Sequence, residues 1–364
     1  MVSSFPSLRF SFQMHFLPPN AAQVYNRLAA TFEQRFTKSP VEAATLQIGG
    51  CLVRLRTTTP LLRRQLLRPL ACPVFDGAGA TADFTVDLVD LAGRPLPDLP
   101  WLPQHTSAEQ ETSEYQEGPF LVTRHGDLLL TILNHEAGHT VGLVHDPAHW
   151  PLRHYKQSIF ITLYQHLRRR GLHLIHASAI GLDGQAVLIA GQSGAGKTTT
   201  MLTCVAAGLQ FLGDDTTLLQ RTASGDIDVV ALLSTLDVTD KTAAWFPELA
   251  SFLSPLRSHT GKRQIILSEA YPSSMAESAH VSAILAPEIT DRAHTTLAPA
   301  NRASLLSDLL FYSVDLQDAA LARQHLEFLA QAVEQIPVYR LLLGSDRQQI
   351  PQVIAEILQR LSRW

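Results

Sequence analysis

The sequence predicts an α/β protein whose second half contains a mixed sheet and whose first half is a strand-rich α+β region. Short apolar runs between turn residues recur in the first half, and a tight hairpin is indicated at Asp183-Gly184. Longer segments with helical apolar spacing begin near Tyr155. We therefore predict two parts, a strand-rich N-terminal region over residues 1–155 and an α/β domain over residues 156–364.

The composition favours a soluble protein without a nucleic-acid partner. The chain has 364 residues, enough for two domains, and 46% of them are hydrophobic against 17% charged, which suits a sizeable core. The formal net charge of -4 argues against binding to a phosphate backbone, which selects basic surfaces.

The cysteines and the apolar runs predict a cytoplasmic protein that does not cross a membrane. Cys51, Cys72 and Cys204 share no metal-ligand spacing, and their odd number argues against a disulfide framework. The longest apolar stretches are too short to span a bilayer, and the N-terminus has no basic segment followed by an apolar run.

The first half alternates short strands with turns. The predicted elements are a strand over 46–55 broken by Gly49-Gly50, a strand over 84–91, an exposed polar loop over 104–118 and a helix over 155–170 that ends at Gly171.

The second half alternates strands with amphipathic helices. The predicted strands are 172–180, 185–190, 211–212, 229–233, 264–267, 281–285 and 339–343, and the predicted helices are 198–207, 304–312, 319–335 and 351–361.

A glycine-rich segment between the strand 185–190 and the following helix predicts an ATP site. Glycines at 191, 194 and 196 allow the backbone N–H groups to wrap a phosphate chain. Lys197 can then reach the β- and γ-phosphates, and Thr198 can offer its hydroxyl to Mg²⁺. The expected ATP-binding residues are Gly191, Gln192, Ser193, Gly194, Ala195, Gly196, Lys197, Thr198 and Thr199.

Two further elements point to chemistry at this loop. A two-residue turn at Asp183-Gly184 would place His176 opposite Gly191, although a buried strand histidine bonded to backbone is an equally good interpretation. Asp214-Asp215 follows the helix and a short strand, so one carboxylate could hold Mg²⁺ while the other accepts a proton from a hydroxyl. A turn or a helix cap is the alternative for this pair.

Together these residues resemble the catalytic core of bacterial HPr kinase/phosphorylase and its relatives. That family has a His, a loop of the form Gly-x-Ser-Gly-x-Gly-Lys-Ser/Thr and an Asp-Asp pair in this order. The resemblance covers residues 172–219, where Lys197 follows His176 by 21 residues and precedes Asp215 by 18. Residues 1–155 do not resemble the N-terminal domain of HPr kinase.

The resemblance implies an ATP- and Mg²⁺-dependent serine kinase with a nucleotide site similar to that of phosphoenolpyruvate carboxykinase. Asp215 would be the proton acceptor, His176 and Lys197 would contact phosphate, and Thr198 with Asp214 would hold Mg²⁺. A protein or peptide serine would be the substrate, and a homo-oligomer is compatible with the family. The family's catalytic arginine falls on Val281 here, and the candidates for it and for a further acidic ligand are Asp237, Asp240, Arg263 and Arg292.

A second motif supports a different function. Residues 135–145 spell His-Glu-x-x-His-x-x-Gly-x-x-His, the zinc-protease pattern in which His135, His139 and His145 would bind zinc. The methionine turn that this fold requires is missing, because the next methionine, Met201, lies in the phosphate-loop helix. Residues 128–134 and 140–144 also fit two strands joined by a turn. A zinc metalloprotease and a non-catalytic ATP-binding regulator are the alternatives to a kinase.

Overall fold

The chain folds around two large β-sheets with helices on their faces, a mixed α/β architecture as the sequence predicts. A computed structural model describes residues 20–36, 42–76, 81–99, 101–102, 112–150, 152–257, 261–313 and 318–361. None of the helices in those ranges combines the length and the hydropathy that crossing a bilayer requires.

The first sheet has eight strands within the described residues. The elements of this half are α1 Ala21–Phe36, β1 Glu42–Ile48, β2 Cys51–Thr57, α2 Pro60–Leu67, β3 Val74–Asp76, β4 Phe84–Asp90, β5 Thr112–Glu117, β6 Phe120–His125, β7 Leu129–Asn134 and β8 His139–Val144. The strand order is β3-β1-β2-β4-β8-β7-β6-β5. The strands β2, β4 and β8 run parallel, and the outer strands pair antiparallel.

Part of the predicted loop over 104–118 is a strand instead. Residues 103–111 lie outside the described part of the chain, but Thr112–Glu117 pairs antiparallel with β6 and forms the last strand of the sheet. Its polar composition misleads because an edge strand hydrogen-bonds along one side only and keeps much of its surface in water. Ser113 is nevertheless buried, and the Tyr115 ring packs on Trp101.

The zinc-protease motif forms a β-hairpin. Residues 135–138 make a turn between β7 and β8, and Asn134 pairs with His139 across it. A zinc protease needs its first two histidines on one helix, so this segment does not have the geometry of the alternative. The described residues contain no group of three or more His, Cys, Asp or Glu side chains that could hold a metal.

His139 and His145, the second and third histidines of the motif, each contact a partner within the fold. The Nε2 atom of His139 lies 2.8 Å from Asp87 Oδ2 and its Nδ1 atom lies 2.8 Å from the Tyr25 hydroxyl. His145 donates from Nδ1 to the Arg94 carbonyl at 2.6 Å. These contacts direct the imidazoles of His139 and His145 to different partners.

Gly142, the glycine of the same motif, is required by packing. A Cβ at this position would lie 2.5 Å from Leu88 Cδ2 and 2.9 Å from Thr131 Cγ2. We expect Gly142→Ala to lower the free energy of unfolding by about 1–3 kcal/mol, the usual cost of overpacking a core. Urea denaturation measures this change. Gly50→Ala is the control, since its Cβ would meet only Gln220 Nε2 at 3.6 Å; equal effects of the two variants would contradict the packing explanation.

The second sheet is also mixed, and its described strands number nine. The strands are β9 Leu172–Ile175, β10 Ala177–Leu182, β11 Gln185–Ala190, β12 Gln210–Gly213, β13 Thr217–Arg221, β14 Ile227–Val230, β17 Ser278–Ile289, β18 Thr296–Pro299 and β19 Val338–Leu343, beside a separate pair of β15 Thr235–Val238 and β16 Arg263–Ile266. The longest strand, β17, pairs parallel with both β11 and β19 and antiparallel with β14.

The helices of this half cover both faces of the second sheet. The described helices are α3 Leu152–Leu167, α4 Lys197–Ala206, α5 Asp240–Ala243, α6 Leu267–Ala270, α7 Arg302–Ser313, α8 Ala319–Gln335 and α9 Gln349–Leu361. Helices α4 and α9 pack on one face with Met201, Leu202 and Ile354, while α7 and α8 pack on the other.

Helix α3 connects the two sheets. Its buried residues Ile159, Leu163 and Leu167 share one core with β2, β4 and the ends of β13 and β14. The predicted boundary between residues 155 and 156 falls inside this helix. The packing therefore gives a direct physical link between the first sheet and the half of the chain that contains the glycine-rich loop.

Candidate active site

The predicted hairpin delivers the glycine-rich loop to one end of the second sheet. β10 and β11 pair antiparallel from Leu182 with Gln185 to Ala177 with Ala190, as a two-residue turn at Asp183-Gly184 requires. His176 and Gly191 are the next residues beyond the last pair. Strand pairing thus brings the start of the loop beside His176.

Two glycines of the loop adopt a backbone conformation that other residues rarely tolerate. Gly194 has φ +87° and Gly196 has φ +101°. A Cβ on Gly196 would also lie 2.9 Å from Leu343 Cδ1. Helix α4 begins at the next residue, Lys197, without a side-chain cap. A helix N-terminus of this kind can bind an anion through its backbone N–H groups.

Lys197 is buried and lies over the start of the loop. Its Nζ atom donates to the carbonyl oxygens of Gly191 at 2.8 Å and Gln192 at 3.4 Å. The same nitrogen lies 4.0 Å from Asp215 Oδ1. The side chain therefore joins the glycine-rich loop to the aspartate pair, which is far away in sequence.

The aspartate pair lies at an interruption in a long antiparallel ladder. Ala179 of β10 pairs with Gly213, and Ile175 of β9 pairs with Thr217, so the two ladders continue each other on either side of the pair. Between them Asp215 has φ +56°, and the Thr216 N–H donates to the Asp214 carbonyl at 2.6 Å. Left-handed backbone at a non-glycine residue is often found at functional sites.

Asp214 is the buried member of the pair. It accepts hydrogen bonds from the hydroxyls of Ser178 and Thr198, the latter at 3.2 Å. Burial, and then the charge of neighbouring Asp215, raise the pKa of the Asp214 carboxyl. A cation beside Asp214 would favour the ionised carboxylate. Thr198 is the residue of the glycine-rich loop that Asp214 contacts.

Asp215 is the accessible member of the pair. Its carboxylate is 24% exposed and lies 3.5 Å from His176 Nε2 through Oδ1. The Nδ1 atom of His176 lies 3.2 Å from the Asp215 carbonyl, so this histidine contacts both ends of the residue. Burial lowers the pKa of the His176 imidazole, and the Asp215 carboxylate partly opposes that shift.

The remaining predicted loop residues lie at the rim. Gln192, Ser193 and Gly194 are exposed, and Ala195 donates its N–H to the Gln192 carbonyl at 3.2 Å. Thr199 lies in the first turn of α4, where its hydroxyl is 3.3 Å from that of Thr242.

Three of the four other charged candidates, Asp237, Asp240 and Arg263, contact partners of their own. Asp237 pairs with Lys156 at 3.1 Å, and Asp240 pairs with Arg257 at 2.9 Å. Arg263 donates from Nε to the Ser254 carbonyl at 2.9 Å. Arg292 lies on an exposed loop after β17, and Val281, where the resemblance would put an arginine, is buried in that strand.

Two residues that act on Asp214 were missed by the sequence reasoning. Ser178 follows His176 by two positions, and the alternation of side chains along a strand could have indicated it. Lys156 lies on α3, where it pairs with Asp237, and its charge opposes part of the rise in the pKa of Asp214. No local pattern marks that lysine, because its partner is 81 positions away.

Comparisons with known proteins match parts of the chain. The family described as "SynChlorMet cassette protein ScmC" matches residues 152–256, which contain α3, the glycine-rich loop and the aspartate pair. No curated protein matches. Among solved structures the chain is similar to the Hpr(Ser) kinase/phosphatase from Coxiella burnetii, with 13% sequence identity over 52% of this chain and 95% of that one, at a TM-score of 0.27. A TM-score this low establishes neither a common fold nor a common activity.

Proposed function

We propose that this protein is an ATP-dependent kinase that transfers the γ-phosphate to a serine hydroxyl of a protein or peptide. The observation that supports this most is the position of the Asp215 carboxylate. It is partly exposed, lies 4.0 Å from the Lys197 ammonium and 3.5 Å from His176, and sits next to the start of the glycine-rich loop. A base is thus available where a phosphate bound by Lys197 would meet its acceptor.

The glycine-rich loop fits the phosphate chain of a nucleoside triphosphate. Gly194 and Gly196 have the positive φ angles of a phosphate cradle, and the uncapped N-terminus of α4 adds positive potential. Residues 191–199 would hold the phosphates, with Lys197 at the β- and γ-phosphates.

Mg²⁺ would be held by Thr198 and Asp214 together with phosphate oxygens. These two side chains already share a hydrogen bond, so their oxygens face the same point. Mg²⁺ in kinase sites usually takes only one or two carboxylates and completes its shell with phosphate and water, so this pair is sufficient. The ion would neutralise charge on the transferring group.

The chain's own residues account for the transfer. Asp215 accepts the proton of the serine hydroxyl as the serine oxygen forms a bond to the γ-phosphorus. The bond from that phosphorus to the oxygen bridging the β- and γ-phosphates breaks, and ADP leaves with both electrons of that bond. Lys197 stabilises charge on the phosphate oxygens, and His176 orients Asp215 through the contacts at both ends of that residue.

The cysteines and the packing of the first sheet are compatible with an intracellular kinase. Cys51, Cys72 and Cys204 are all free and buried, which agrees with a reducing compartment such as the cytoplasm. We assign the second sheet and its helices to the kinase domain, and the first sheet to a region of its own that packs on that domain through α3.

Incubation with γ-labelled ATP and host lysate tests the proposal. A kinase should release ADP in proportion to an acid-stable label on a protein or peptide, and mass spectrometry should place the label on serine. Binding of ATP without ADP release or a labelled acceptor would instead identify a regulator. Peptide cleavage that stops when a chelator is added would identify a protease.

A further inference from the structure

β18 is an edge strand of the second sheet. Among the described residues it pairs with β19 alone, from Thr296 with Leu342 to Pro299 with Tyr339. The outer side of an edge strand presents backbone N–H and C=O groups that no neighbouring strand satisfies. β18 therefore offers a place where an extended peptide can add a strand to the sheet.

The pairing of β19 shows which backbone groups of β18 point outward. The Thr290 N–H donates to the Leu343 carbonyl at 2.9 Å, so the odd-numbered residues of β19 direct their backbone groups towards β17. The even-numbered residues face β18, where Leu342 pairs with Thr296. Leu297, the next residue of β18, therefore directs both its N–H and its C=O away from β19.

A groove of about 640 Å³ lies between β18, the start of β19 and helix α9. Its apolar lining comes from all three elements, and each of these side chains is only partly buried: Leu297, Val338, Tyr339, Val353 and Leu361. Covering several such side chains with a ligand removes apolar surface from water, which favours binding. A concave apolar surface of this kind is typical of an interaction site.

The polar rim of the groove has an excess of positive charge. Arg302 and Arg360 are both exposed, against Glu356 alone among the described acidic residues that line it. The Nη1 atom of Arg302 donates to the carbonyls of Glu334 at 2.8 Å and Ile336 at 3.1 Å, which orient the guanidinium without cancelling its charge. A peptide with acidic side chains between apolar ones complements this rim.

One end of the groove lies at the same edge of the sheet as the glycine-rich loop. β11 and β19 both run parallel to β17, so their carboxyl ends meet at this edge. A Cβ on Gly196 would lie 2.9 Å from the Cδ1 atom of Leu343, the last residue of β19. The Gly344 N–H donates to the Thr295 hydroxyl at 3.1 Å, which joins the start of β18 to this edge. A chain bound along β18 would leave the groove here.

We infer that β18 and the groove beside it bind the peptide substrate, by pairing an extended segment of acidic and apolar residues with Leu297 and by placing its apolar side chains against α9. The serine to be phosphorylated lies in the chain that continues past Thr296 towards the glycine-rich loop. The inference rests on the proposed function and names how its protein or peptide substrate is recognised.

A dye-labelled peptide of alternating valine and glutamate, followed by a glycine–serine tail, tests the groove. We expect this peptide to bind the full chain in fluorescence anisotropy and to slow hydrogen exchange of the Leu297 N–H, which points outward in the free protein. The same peptide N-methylated at alternate residues cannot add a strand and should bind at least about tenfold more weakly. No binding of the valine–glutamate peptide, or binding without protection of Leu297, would overturn the inference.

A reversal of charge at the rim separates the groove from general electrostatic attraction. Arg360→Glu should weaken binding of the valine–glutamate peptide about tenfold and strengthen binding of a valine–lysine peptide. Arg323→Glu is the matched control, since Arg323 is also an exposed arginine on a helix, α8, but does not line the groove. Equal losses in the two variants would show that the peptide does not use this rim.

Label transfer distinguishes failure of the groove from failure of the proposed function. If the peptide binds and protects Leu297 but the chain transfers no label from γ-labelled ATP to any acceptor, the kinase proposal fails and the groove remains a peptide site. If a lysate protein is labelled equally well by Arg360→Glu and in the presence of excess valine–glutamate peptide, the kinase proposal stands and the groove is not its substrate site.

Discussion

The Asp215→Asn variant is expected to bind Mg²⁺-ATP at least as tightly as the wild type and to transfer phosphate about 10²–10⁴ times more slowly. The amide has the shape of the carboxylate but cannot accept the serine proton. Asparagine also tolerates the left-handed backbone at φ +56°, so the segment between β12 and β13 should keep its conformation. Removing one negative charge beside the phosphates should not weaken nucleotide binding.

Single-turnover transfer of label and a separate ATP titration measure the two effects. Asp183→Asn is the matched control, because Asp183 also has a positive φ, +51°, but lies at the far end of the β10–β11 hairpin. Lys197→Ala should differ from both by weakening binding as well as transfer, since the Lys197 ammonium contacts the loop itself. Normal transfer by Asp215→Asn would show that another group is the base.

The sequence predicts the elements around the glycine-rich loop well because their signals are local. The Asp183-Gly184 turn sets the pairing of β10 with β11. Because of that pairing, His176 lies beside the start of the loop. The helix over 319–335 begins and ends as predicted, and Gly171 ends the turn after α3 with φ +76°. Each signal lies within a few residues of the structure that it specifies.

The parts of the site that depend on distant partners could not be predicted. Asp214 and Asp215 are identical side chains in sequence, and only the surrounding fold makes one buried and the other accessible. The ion pair of Lys156 with Asp237 joins α3, which packs on the first sheet, to β15. Pairings over such separations arise from packing and not from a local pattern.

The zinc-protease motif shows how a pattern can be complete while its local structure is wrong for the chemistry. Apolar residues before it and the run Thr140–Val144 after the turn favour strands, and β7 and β8 form there. Gly138 in the turn has φ +58°, a left-handed conformation that a continuous helix does not contain. His139 then takes part in a buried network with Asp87 and Tyr25.

This network contains the most buried charge of the first sheet. Asp87 is 0% exposed and accepts from Arg56 through Nε at 2.6 Å and Nη2 at 2.5 Å, in addition to its contact with His139. The Arg56 guanidinium also lies over the Phe36 ring at 4.4 Å and pairs with Glu33. Helix α1 is thereby attached to the middle of the sheet through β2, β4 and β8.

We expect Asp87→Ala to lower the free energy of unfolding by about 3–5 kcal/mol, because it leaves Arg56 and His139 without their shared carboxylate. Urea denaturation monitored by circular dichroism measures the change, and Asp87→Asn should cost less because the amide oxygen can still accept from Arg56. Asp127→Ala is the surface control: Asp127 is 92% exposed in its pair with Arg124, and such pairs contribute about 0–1 kcal/mol. If Asp87→Ala were no more harmful than Asp127→Ala, the buried network would not be what holds α1 on the first sheet.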